Sequence, residues 1–202
     1  MGTGRSGNPR PPSQEKEKAV IYGLSLQTAG LAAGLLLVVS HAAGLLNPDS
    51  TIRAARKFPR SDAAAAVLLL IAAVWSFLLV RTIDLGEFSP LRNTILFGIV
   101  AGTVLSWFFV REFLAARALG MLALLAAEPL LESAVLRGEQ TRLILVVLAY
   151  AWVAAGLFLV GMPYLLRDAI AFASATTLRW RLASLGGLAY GAAVIVCALV
   201  FW

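Results

Sequence analysis

From Ala63 to Val80 the chain runs A-A-A-A-V-L-L-L-I-A-A-V-W-S-F-L-L-V without one charged residue. A helix needs roughly 20 apolar residues to cross hydrocarbon about 30 Å thick. Inside lipid every backbone polar group must find its partner within the protein, which makes such a block a helix. Blocks of this kind recur along the whole chain. Hydrophobic residues make up 60% of it and charged residues only 14%, against roughly 25% charged in soluble domains. The mean hydropathy is +0.84. No soluble core of this size uses so much apolar surface.

The expected fold is therefore an all-α, polytopic transmembrane helix bundle with about six spans and no soluble domain. Residues 1–18 are rich in Gly, Pro, Ser and charge, and read as a disordered N-terminal tail. Its M-G-x-x-x-Ser start matches a myristoylation pattern only formally. The spans are expected near 22–46, 63–83, 90–110, 118–136, 143–166 and 182–202. Pro59, Ser61 and Asp62 form a start signal for the second, and Ser89-Pro90 reads as N-cap and first helical residue of the third. Between spans three and four no proline or glycine marks the reversal, so Arg111, Glu112 and Arg117 are placed in a tight interfacial turn. Residues 47–62 read as a basic, solvated loop beside lipid phosphates, with a short surface helix as the other option. Residues 167–181 read as an interfacial helix anchored by Trp180.

The net charge of +6 sits in the tail and the short loops rather than on one face. That argues against nucleic acid and for contact with anionic lipids. Lys and Arg on the tail's side number eight, against nine on the other, which leaves orientation open. The Arg, Ala and Gly usage suggests a GC-rich bacterium and hence its cytoplasmic (inner) membrane. Cys197 and His41 are the single cysteine and histidine, which excludes an intrachain disulfide, bis-histidine haem and a His-x-x-x-His zinc site. No cofactor or metal is expected.

Three close-approach motifs stand out: Gly30/Gly34, Gly98/Gly102 and Gly187/Gly191. Small residues at this spacing let helix backbones meet. A fourth small stripe, Ala116, Gly120, Ala123 and Ala127, runs along the fourth span beside a second stripe holding Arg117, Met121, Leu124, Glu128 and Glu132. A charged residue in mid-span costs roughly 2.5–3.5 kcal/mol on insertion scales. Glu128, read near the middle of the span, and Glu132, one turn on, are thus candidates for an ion, proton or solute site, with His41, Gln27 and Arg117 as further polar groups. Arg117 lies about 16 Å from Glu128 along a helix at 1.5 Å per residue, too far to pair directly. The alternative is structural: Glu128 held inside the bundle, Glu132 reaching toward the surface.

Nucleophile-elbow, zincin and P-loop motifs are missing, as is an aspartate cluster of the kind lipid transferases use. The sequence thus leans away from an enzyme. The leading expectation is a non-catalytic accessory or scaffold membrane subunit that contacts other subunits or itself. The alternative is a small proton- or cation-coupled transporter using Glu128 and Glu132.

Overall fold

A computed structural model describes residues 21–135 and 137–202. The expected tail and Leu136, the expected end of span four, lie outside the described residues. The described chain forms six long apolar helices and two shorter ones. They are α1 (Leu26–Leu46), α2 (Pro48–Lys57), α3 (Asp62–Thr82), α4 (Arg92–Phe109), α5 (Leu114–Ala134), α6 (Arg142–Gly161), α7 (Tyr164–Ala173) and α8 (Thr177–Val200). All but α2 and α7 reach spanning length, α4 together with the 3-10 turn Gly86–Leu91 before it. Six alternating crossings put α2, α7 and the α4–α5 turn at one face of the membrane. The α3–α4 and α5–α6 connections, with residues 21–25 and 201–202, lie at the other.

The helices start and stop for local reasons. Ser25, Ser61 and Thr176 cap α1, α3 and α8, their hydroxyls accepting the backbone N–H three residues on. The segment expected as a solvated loop is instead the helix α2. Its first turn holds Pro48 and Asp49 and its last Arg56 and Lys57, a charge order that complements the helix dipole. Ser89 does not cap the third span. Its hydroxyl donates to the Gly86 carbonyl (2.7 Å) inside the 3-10 turn, and the α-helix begins only at Arg92.

Span four begins at Leu114, earlier than the pattern predicts, because the reversal is tighter. Phe113 supplies it from the left-handed region at φ 55°, a conformation that costs a non-glycine residue about 1–3 kcal/mol. Arg117 is thereby inside α5 rather than in the turn. At the far end, α6 stops at Gly161 and Pro163 precedes the surface helix α7. Trp180, expected on the surface helix, sits in the first turn of α8.

The bundle is organised around α5. Two buried clusters share it: one joins α5 to α1, α6 and α8 through residues such as Leu26, Leu130, Leu145 and Val194. The other joins it to α3 through Ala65, Leu69, Leu114 and Ala118. The closest pairings are α1 with α8 and α5 with α6. At the first, a Cβ on Gly34 would fall 2.9 Å from the Gly191 carbonyl oxygen; at the second, one on Gly120 would fall 2.8 Å from that of Gly156. Gly30 likewise meets Trp202 and Ala198, and Gly187 meets the His41 ring. Leu35, Leu70, Phe97, Val147 and Leu199 point outward, the surface that lipid covers.

Candidate functional site

The two acidic residues of α5 meet different fates. The helix ends at Ala134, so Glu128 lies in its last third, about 9 Å below that end at 1.5 Å per residue, and not at mid-span. Glu132, a turn higher, accepts the backbone N–H of Ile21 (2.6 Å) and of Tyr22 (3.1 and 3.3 Å to its two oxygens). Successive backbone donors around one carboxylate form an anion-binding nest. Gly23, at φ 62°, then turns the chain into the N-cap of α1, a backbone position that suits glycine.

Tyr22 ties this segment to a third helix. Trp75 Nε1 of α3 donates to its hydroxyl at 2.9 Å, and the two rings meet edge to face with centres 6.5 Å apart. Tyr22 precedes the first span. Burial lifts its phenol above the ordinary range, against the opposing effect of the Trp75 hydrogen bond, and the carboxylates of Glu128 and Glu132 add to the rise.

Glu128 makes no hydrogen bond among the described residues. It lines an open cleft of about 420 Å³ with Ile21, Leu124, Leu131, Glu132 and Val153. The structure therefore brings Glu128 and Glu132 together with residues 21–22, which the sequence did not mark. It keeps the other polar candidates away. His41 is near the opposite end of α1, where Nδ1 donates to the Leu37 carbonyl (2.8 Å) and the ring packs on Gly187. Gln27 is exposed in the first turn of α1 and does not line the cleft. Arg117 lies at the far end of α5 and donates to the Val160 carbonyl of α6 at 2.8 Å. Among the described residues no three His, Cys, Asp or Glu side chains gather as a metal would require.

Arg117 belongs to a pattern. Arg92 donates to the Arg81 and Ile83 carbonyls at the end of α3, and Arg142 to that of Ala134 at the end of α5. Arg56 of α2 donates from Nε to Ser174 Oγ and from a terminal nitrogen to the Ser174 carbonyl, at the end of α7. Each thus places positive charge where a helix leaves carbonyls without donors. Salt bridges contribute little by comparison: among the described residues only Arg167 and Asp168, adjacent and exposed, pair.

A second opening separates α4 from α3 and α5. It measures about 410 Å³, and Gly98, Gly102, Thr103 and Ser106 of α4 face it across from Ala72 and Leu124. Among the described residues Gly98 and Gly102 have no neighbour within 4 Å of where a Cβ would stand, unlike the glycines of α1, α5 and α8 discussed above. No residue of α4 is buried.

Six apolar helices of spanning length, lipid-facing outer surfaces and surface helices at one face define a polytopic α-helical integral membrane protein. Comparison with protein-family models, curated proteins and solved structures finds no match.

Proposed function

We propose that the protein is a non-catalytic membrane subunit that works through lateral helix contact, with α4 as the contacting element. The observation that carries this reading is the open small-residue face of α4. A glycine inside a helix costs about 0.5–1 kcal/mol relative to alanine. Gly34 and Gly120 offset that cost through close backbone packing within the chain. Gly98 and Gly102 do not, and a membrane-spanning helix of another subunit would supply the missing contact. Composition supports a bacterial inner membrane as the setting. The test is site-directed cross-linking from α4 in native membranes, with Gly98→Leu/Gly102→Leu compared to Gly186→Leu, an equally open site on α8. The expected outcome is a cross-linked partner that disappears only in the α4 variant. An α4 that cross-links to no protein rejects the reading.

A proton- or cation-coupled carrier is the second reading, favoured by Glu128 in its open cleft, without a hydrogen-bond partner among the described residues. Its test is pH-driven flux in proteoliposomes. Glu128→Gln abolishes the flux while leaving the bundle intact if Glu128 carries the ion.

A further inference from the structure

Between the surface helices α2 and α7 and the turn that opens α5 lies a cleft of about 260 Å³. Arg56, Arg60 and Arg167 line it, and among the described residues no carboxylate does. Pro59, Phe113 and Ile170 supply an apolar wall. Guanidiniums gathered around one cavity repel each other until an anion enters.

Their protein partners leave the charge unbalanced. Both acceptors of Arg56 on Ser174 are neutral, at 2.9 Å each. A guanidinium carries five N–H donors, so most of the fork stays available. The Arg60 Cζ stands 5.8 Å from the Phe113 ring centre, and its side chain makes no hydrogen bond among the described residues. Arg167 pairs with Asp168 at 2.8 Å, but the two side chains are 51% and 52% exposed, a pairing that water and salt loosen. The surrounding face is basic as well. Residues 47–62, 110–117 and 162–181 hold nine Lys and Arg against four Asp and Glu.

We propose that this cleft binds a phosphate-bearing anion, namely the phosphate of a lipid headgroup in the adjoining leaflet. Arginine forks match phosphate oxygens in pairs, and the site has three. Buried Ser174 fixes Arg56 and the Phe113 ring supports Arg60, so two of the forks are held in place. The apolar wall suits the glycerol and upper acyl region of a lipid. A free phosphate satisfies the same donors and leaves that wall bare.

The test uses the full chain purified in a neutral detergent, with melting temperature and native mass spectrometry as readouts. The probes are phosphatidylglycerol, phosphatidylcholine and inorganic phosphate. Phosphatidylglycerol is expected to raise the melting temperature and stay bound, and phosphatidylcholine to do neither. Arg60→Gln/Arg167→Gln is expected to weaken phosphatidylglycerol binding by at least about tenfold, as losing charge-assisted hydrogen bonds implies. Arg60→Gln alone, which breaks no hydrogen bond described in the protein, gives part of that loss and guards against misfolding. Arg179→Gln/Arg181→Gln removes equal charge from the same face without touching the cleft, and is expected to bind as before. A response to inorganic phosphate that the cleft variant loses supports the phosphate site and assigns it to a free anion. Equal weakening in both double variants, or no preference for phosphatidylglycerol over phosphatidylcholine, overturns the proposal.

Discussion

Glu132 on α5 and Tyr22, which precedes α1, are 110 positions apart and joined by hydrogen bonds of 3.1 and 3.3 Å from the Tyr22 N–H. The carboxylate thereby holds the chain's approach to its first span against the central helix. Hydrogen bonds to a charged group contribute about 1.5–3 kcal/mol. Glu132→Ala is expected to lower stability by that order and to speed amide exchange at residues 21–25. Glu128, one turn away, makes no such bond among the described residues, so Glu128→Leu is expected to raise stability by about 1 kcal/mol by removing a carboxyl from a largely apolar cleft. Thermal unfolding of the two variants in one detergent checks the opposite signs. A fall in both contradicts the difference in their environments.

Glycines with the same spacing are expected to respond differently. A Cβ at Gly34 would sit 2.6 Å from Ile195 Cγ1 and 2.9 Å from the Gly191 carbonyl, so Gly34→Val is expected to cost about 1–3 kcal/mol or more through overpacking. At Gly98 no described residue lies within 4 Å of an added Cβ, and Gly98→Ala is expected to leave the isolated chain unchanged or up to about 1 kcal/mol more stable. Melting curves of purified protein separate these outcomes.

Removal of a carbonyl-capping arginine exposes what it covered. Arg117→Leu removes the guanidinium's 2.8 Å hydrogen bond to the part-buried Val160 carbonyl, a loss of about 1.5–3 kcal/mol for a bond from a charged donor. The effect is expected to concentrate at the end of α6, where hydrogen exchange of residues 158–162 rises before the rest of the bundle opens. Uniform acceleration across all helices contradicts a local role.

Tyr22 predicts a response to alkali. Its folded pKa is raised from 10.0, so its contribution is fully present below pH 10 and is lost as pH rises through the folded value. Stability in detergent is expected to fall above pH 10, and Tyr22→Phe to fall less steeply over the same interval. Parallel curves for the two proteins contradict the linkage.

The fold class was legible because hydropathy is a property of runs: an uncharged block such as 63–80 admits few structures. The fourth span also stood out through its small stripe and its polar stripe, and α5 does pack against neighbours on two sides. What Glu132 binds was not. Its partners are backbone N–H groups, which every residue but proline carries, so no side-chain pattern announces them. The capping arginines were hidden for the same reason, as their acceptors are main-chain carbonyls. Gly34 and Gly98 look alike in sequence and differ in whether a second helix packs within contact distance, a matter of tertiary arrangement. A tight turn before span four was expected, but its pivot at Phe113 was not, because left-handed positions are usually marked by glycine or asparagine.

The capping arginines also set an order in which the protein can be built. Arg92 reaches carbonyls 9 and 11 positions earlier, and Arg142 one that lies 8 earlier. A nascent chain can fasten each of these hairpins as it leaves the insertion machinery. Arg117 and Arg56 reach 43 and 118 positions ahead, so those bonds form only after later segments have been threaded. Assembly thus has two early latches and two late ones, and the last closes only after translation has passed α7.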